Sequence, residues 1–193
     1  MLFKRVFLIC LVVFSMQCVS AQLYVKKITA EKIPVPYAGK VLEAYEYSDA
    51  AGLHYYLATD VRTNKMDSLF VRCYTKTDTG FRQDWQIRDF SPYGITYETW
   101  LRITDIDKDG IYETVFAYRV EGDVLKHGDL VIKLMLHYKN QKFAIRNWTH
   151  YGNDENKLTM DQSFNTLPKL VKVFVVNLWN KEIAAGDLVK HIN

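Results

Sequence analysis

Residues 105–113 read DIDKDGIYE: four carboxylates in nine positions, with Asp105, Asp107 and Asp109 alternating and Gly110 directly after the third. Like charges this close repel, so the arrangement costs free energy unless something positive sits among them. Alternation solves the problem for a metal ion, because one set of side chains turns inward while the residues between them face away. The donors are all hard oxygens, which suits Ca2+, an ion that takes about six to eight of them at ~2.3–2.6 Å. Mg2+ fits less well, because it keeps several waters and seldom uses a dedicated protein cage. In this scheme Asp105, Asp107 and Asp109 are side-chain ligands and Gly110 permits the left-handed backbone that reverses the chain. Ile111 turns its carbonyl inward and Glu113 closes the shell. Ile106 and Lys108 point outward, so Lys108 does not compete. Asp109→Ala should then cost calcium-dependent stability, and in the metal-free chain it should be neutral or stabilising.

An EF-hand opens in the same way but needs a bidentate Glu at its twelfth position and a helix on each side. The twelfth position here is Phe116, and the flanks WLRIT and TVFAY read as strands. What remains is a strand–loop–strand acidic site with its last ligand at the ninth position.

Other candidate chemistry is thinner. His54, His127, His137, His150 and His191 are scattered, without metal-ligand spacing and without an acidic neighbour forming an obvious relay. His127 lies in EGDVLKHGD with Glu121, Asp123 and Asp129, which reads as an auxiliary binding site or a solvated hairpin tip. Ser68, Ser91 and Ser163 match no nucleophile elbow of the G-x-S-x-G type. Trp85, Trp100, Trp148 and Trp179 would serve either as core or as a stacking platform for carbohydrate. Catalytic residues therefore stay unknown.

The elements that must hold the acidic loop are strands. Two-residue periodicity recurs in KVLEAYEYSD, LHYYLATDV, SLFVRCYTK, YETVFAYRV, DLVIKLMLHY and KFAIRNW. In LHYYLATDV, Leu53, Tyr55 and Leu57 form the apolar row. DAAG at 49–52, TDTG at 77–80, SPYG at 91–94 and KNQK at 139–142 supply turn chemistry, and loops this short favour antiparallel hairpins. The period changes only near the end. There Val171, Phe174, Val175, Leu178 and Glu182 share a helical face over about 167–184, with Leu170 and Trp179 flanking it. Asn165 or Thr166 is placed to cap this helix, Pro168 to occupy its first turn and Gly186 to stop it. Residues 151–163 read as a polar loop. The fold class expected is mainly β: an antiparallel meander sheet, sandwich or partly open barrel, with one C-terminal α-helix packed on it.

With these pieces placed, a wider resemblance emerges. DAAGLHYYLAT, WQIRDF, ITDIDKDGIYETVFAY and GDVLKHGDLVIKLMLHYKNQKFAIRN, followed by a late helix containing LW, resemble in order a poorly characterised family of small exported bacterial proteins. Their acidic loop is similar to the calcium loops of FG-GAP and VCBS-type repeats. The resemblance spans about residues 40–182 and implies the acidic-loop role for Asp105, Asp107, Asp109 and Glu113. Some members carry a label linking them to surface polysaccharide biosynthesis. The motif occurs once here, so a propeller of repeated blades is not implied.

The first residues, MLFKRVFLICLVVFSMQCVSAQ, have the basic, apolar and small-residue parts of a signal peptide cleaved after Ala21. Its apolar run is shorter than the roughly 20 residues that span a bilayer, so no membrane span is expected after cleavage. Removing residues 1–21 leaves 172 residues, 22–193, as a single β-rich domain. It also takes two basic residues and no acid, lowering the formal charge from +3 to +1. No basic cluster interleaves with aromatics, and nucleic acid is not an expected partner. Cys10 and Cys18 leave with the leader; Cys73 stays alone as a small core residue and cannot form an internal disulfide.

Two functional readings follow for a protein of the periplasm or outer surface of a Gram-negative bacterium. One is a non-enzymatic, calcium-stabilised module that binds a glycan or protein of the envelope. The alternative is an envelope hydrolase or polysaccharide-processing enzyme. A concave pocket joining two carboxylates outside the loop, with perturbed titration, would favour the enzyme. A flat aromatic face would favour binding.

Overall fold

The computed structural model describes residues 24–98, 100–122, 129–150 and 156–184. The signal peptide expected over 1–21, the cluster around His127 and the helix stop at Gly186 lie outside the described residues. Five strands form the first sheet as a plain meander: β1 (Tyr24–Lys27), β2 (Lys40–Asp49), β3 (Gly52–Arg62), β4 (Asp67–Thr77) and β5 (Gly80–Ser91). The second sheet contains β6 (Ile95–Tyr97), β7 (Arg102–Thr104), β8 (Glu113–Glu121), β9 (Asp129–Tyr138), β10 (Gln141–His150) and β11 (Lys157–Met160). Its order is β11-β10-β9-β8-β6, with β7 also paired to β8, and every pairing in both sheets is antiparallel. The sheets pack as a sandwich and do not close. The last described element is α1 (Lys169–Leu178), continued by one wider helical turn over Trp179–Ile183.

Local chemistry explains the tight connections. Lys139 and Asn140 both adopt positive φ, 46° and 62°, between β9 and β10. That is the backbone of a type I′ turn, whose twist matches the flanking strands. Between β2 and β3 the Asp49 carboxylate accepts the Ala51 N–H at 2.7 Å, closing an Asx turn.

Three apolar layers result. Tyr56, Val71, Phe116, Tyr118 and Met135 fill the space between the sheets. Leu134, Leu136, Phe143, Val171, Val175 and Trp179 fill the space between the second sheet and α1. Val35, Ala44 and Leu57 cover part of the first sheet's other face. The second sheet is thus buried on both sides, and Glu113 through Tyr118 are all buried.

Several expectations need correction. Residues 157–160 form β11 against β10 and residues 162–166 a 3-10 turn, so the polar loop expected over 151–163 gives way to regular structure there; residues 151–155 lie outside the described residues. Neither Asn165 nor Thr166 caps α1; Pro168 stands at the cap and the Thr166 hydroxyl donates to the Ser163 carbonyl. On β3 the inter-sheet core takes Tyr56 and Ala58, whereas Leu57 joins the smaller outer cluster. Trp179 is fully buried, while Leu170 lies exposed. Among the described residues no helix is long and apolar enough to cross a membrane.

Candidate metal centre and adjoining pocket

The acidic loop joins β7 to β8, and Thr104 pairs with Glu113 at its base. It is therefore a strand–loop–strand site. Asp105, Asp107 and Asp109 each bring a carboxylate oxygen within 4.8 Å of the other two. Gly110 has φ 86°, the left-handed conformation its position demands, and Lys108 enters the same region at 61°. The loop's own N–H groups brace the acids. Asp105 accepts from Asp109 at 3.0 Å and from Gly110 at 2.9 Å, and Asp109 accepts from Ile111 at 3.0 Å. Ile106 faces away from the acids into the core beside α1.

Glu113 stands apart from the three aspartates. It is 2% exposed, and its Oε2 accepts the Ile106 N–H at 2.7 Å. Burial pushes its pKa up to about 7, and the charges of the three aspartates add to the rise. Ile111 presents its N–H to Asp109 and its side chain to the rim of the adjoining pocket.

One participant is invisible in the loop sequence. Lys139, at the turn between β9 and β10, places Nζ 2.9 Å from Asp109 Oδ2 and 3.4 Å from Asp107 Oδ2. Tyr138 donates its hydroxyl to Asp107 Oδ2 at 2.8 Å. The hydrogen bond from Lys139 holds the Asp109 carboxyl below its usual value, and the Asp109 bond raises the Lys139 pKa in turn. The repulsion is thus partly relieved without metal, so Asp109→Ala would not be neutral in the metal-free chain.

The donor set nevertheless fits a hard cation. Asp107 Oδ1 is buried with no hydrogen-bond partner among the described residues, an arrangement that is costly unless something positive meets it. The Lys139 side chain is half exposed and can withdraw to solvent. Asp105, Asp107 and Asp109 would hold a Ca2+ ion here, with Glu113 behind them on the Ile106 N–H, and the ion would supply charge neutralisation and loop closure.

A cavity of about 180 Å3 opens beside the loop, between the ends of the two sheets. Ile111, Tyr112 and Lys139 line one wall, and Asp49, His54 and Trp85 are among the residues of the other. Asp49 ties the two sites together. Its Oδ1 lies 2.9 Å from His54 Nε2, its Oδ2 accepts the Tyr112 N–H at 3.0 Å, and Ala50 N–H donates to the Gly110 carbonyl at 2.8 Å. Burial alone would raise the Asp49 pKa, but the bonds to His54 and to the Tyr112 and Ala51 N–H groups outweigh it and hold it below the ordinary value. His54 Nδ1 lies 2.9 Å from the Thr75 hydroxyl, which hydrogen bonds Asp84. Tyr47 stacks on His54 with centroids 4.9 Å apart, and its hydroxyl sits 3.2 Å from Cys73 Sγ. His137 stacks on Trp85 at 4.5 Å, and burial pushes its pKa down to about 4. Burial also pushes the Cys73 thiol up to about 12.

Known proteins offer no guide to this pocket: no family model, curated protein or solved structure matches the chain. The pocket cluster also escapes sequence reasoning. His54 has two acidic neighbours, but Asp84 arrives from β5, across two strand pairings. Three of the four tryptophans do not converge on one face: Trp179 and Trp100 belong to the core at α1, whereas Trp85 lies at the inter-sheet core.

Proposed function

We propose that the chain is a calcium-stabilised β-domain of the bacterial cell envelope, exported to the periplasm or outer surface, that binds a glycan or protein without catalysing a reaction. Supporting the calcium reading is the buried, unpartnered Asp107 Oδ1 amid three converging aspartates. The likeness of DIDKDGIYE to the calcium loops of FG-GAP and VCBS-type repeats, carried by the same aspartates, points the same way. Calcium would fix Ile111 and Tyr112, which line the adjoining cavity, so ion loading and ligand binding would be linked. Tyr47, Trp85 and Tyr112 give that cavity aromatic walls, and Asp49, Thr75 and Asp84 give it polar ones. That mixture suits a sugar, which offers both apolar faces and hydroxyls.

One observation favours the second reading, an envelope hydrolase or polysaccharide-processing enzyme. The cavity joins two carboxylates outside the loop, Asp49 and Asp84, and titration around them is perturbed. Asp49 is a poor candidate base, because its oxygens already serve Ala51, His54 and Tyr112. Burial also keeps His137 neutral near neutral pH, which suits a binding wall better than a proton shuttle.

Immobilised protein exposed to envelope polysaccharide fragments, with calcium and with chelator, separates the readings. Fragments retained intact only with calcium, and lost in Trp85→Ala, are expected. Shortened fragments with new reducing ends would replace binding by catalysis. No retention in either buffer would remove the glycan as ligand.

A further inference from the structure

The pocket holds a second set of metal donors whose chemistry differs from that of the acidic loop. His54, Cys73 and Asp84 each bring one ligand atom within 4.8 Å of the other two. Sheet register assembles them. His54 on β3 faces Thr75 on β4, and Cys73 lies two residues along β4 on the same face. Between β4 and β5 the register shifts after Cys73: Cys73 faces Trp85 and Tyr74 faces Gln83, leaving Asp84 without a partner across the ladder. A bulge of this kind commonly re-aims a side chain beside a functional site. Here it gives Asp84 to the pocket.

From this cluster we propose that His54, Cys73 and Asp84 bind a borderline-soft divalent transition-metal ion, Zn2+ being the natural occupant, with a fourth position open to the cavity. Imidazole and thiolate select against calcium and magnesium, which want oxygen alone. Tetrahedral Zn2+ with bonds of about 2.0–2.3 Å keeps its donors roughly 3.3–3.8 Å apart. His54 Nδ1 and Asp84 Oδ2 already lie 3.8 Å apart, so shifts of an ångström or so complete the shell.

The surroundings match those of a metal-binding histidine. Nε2 of His54 is engaged by Asp49 Oδ1 at 2.9 Å, so Nδ1, which meets the Thr75 hydroxyl at 2.9 Å, is the nitrogen that would turn to the ion in place of that hydroxyl. An outer carboxylate of this kind fixes the ring and strengthens it as a ligand. Asp49 is itself anchored by the Ala51 and Tyr112 N–H groups. The Tyr47 hydroxyl, 3.2 Å from Sγ, can donate to a Cys73 thiolate. Charge argues the same way. Asp49 and Asp84 flank one imidazole inside the protein, and Arg82 pairs with Asp84 only at the rim, 3.0 Å from Oδ1. A divalent ion balances both carboxylates and permits the thiolate. Three protein ligands with one open position are the pattern of zinc sites that take water or an exchangeable ligand. Arg82 and Lys139 line the same cavity, so an anionic oxygen ligand, a carboxylate or phosphate, is the chemistry that would complete the shell.

This site does not depend on calcium in the loop, and its test keeps the two apart. Chelator-stripped, reduced full chain is titrated with Co2+, the spectroscopic stand-in for Zn2+. One ion per chain should bind, with thiolate-to-cobalt charge transfer and the intense visible bands of a tetrahedral ion, both erased by added Zn2+. Excess Ca2+ and the Asp109→Ala substitution should leave the spectrum unchanged. Cys73→Ser should abolish the charge-transfer band, and His54→Gln should weaken Co2+ binding at least tenfold. Absence of sulfur charge transfer in wild type at stoichiometric Co2+ overturns the site whatever the variants do, as does a spectrum unchanged by Cys73→Ser.

Discussion

Replacing His137 by Phe isolates the electrostatic cost of the wall between the two sheets. His137 stacks on Trp85 with centroids 4.5 Å apart and planes 24° from parallel. Burial takes its pKa from 6.5 to about 4, with the Asp84 charge working the other way. On acidification the unfolded chain therefore takes up this proton first. The native state keeps its full advantage above about pH 6.5 and loses it as the pH falls toward about 4. At ~1.4 kcal/mol for each pH unit between those values, the loss reaches up to roughly 3 kcal/mol. Phe keeps an aromatic ring against Trp85 and cannot protonate. Urea unfolding of both proteins, at steps from about pH 7.5 to about 4, measures the effect. Taking the difference between the two at each pH cancels the other titrating groups. That difference should move against wild type by about 2–3 kcal/mol across the range. A difference constant to within ~0.5 kcal/mol would refute the buried neutral imidazole.

Three further outcomes are expected. In chelator, Glu113 contributes opposite to His137: its protonated form suits the buried site, so its stabilising effect is fullest below about pH 4.5 and disappears as pH rises through about 7. Glu113→Gln should flatten that part of the profile, read by the same urea titrations. Lys139→Met should lower the melting temperature in chelator and tighten calcium binding by calorimetry, because Nζ at 2.9 Å from Asp109 Oδ2 relieves repulsion and competes with the ion. Trp179→Ala, which empties a fully buried site between α1 and the second sheet, should cost about 3–5 kcal/mol in urea unfolding.

The sequence carried the fold further than the site. Alternation in SLFVRCYTK and DLVIKLMLHY, with turn residues between the runs, was enough to expect an antiparallel sheet, sandwich or partly open barrel with one late helix. Alternation failed where both faces are covered: on β3 every residue from His54 to Asp60 is buried, so the apolar row Leu53, Tyr55, Leu57 did not mark the main core. It failed also for β5, an edge strand whose polar residues outnumber its buried ones. The acidic loop was legible because its donors are local, within nine residues. Lys139 was not, because it reaches Asp107 and Asp109 from 30 or more residues away through a hairpin turn. The pocket needed two strand registers and a bulge, none of which single-sequence periodicity records.

Calcium occupancy of the loop is tested most directly by melting wild type and Asp107→Asn in calcium and in chelator, with calorimetry alongside. Asp107 is the informative position because its Oδ1 is buried without a partner among the described residues, and Asn keeps the shape while removing the charge. Linkage sets the size: stabilisation follows RT ln(1 + [L]/Kd), about 2.7 kcal/mol at 100 times Kd. Wild type should bind one calcium ion and melt higher with calcium than with chelator. Asp107→Asn should lose most of that difference. Identical wild-type melting in both buffers, with no heat of calcium binding at millimolar concentration, would contradict the metal site and leave Lys139 as the loop's resident cation.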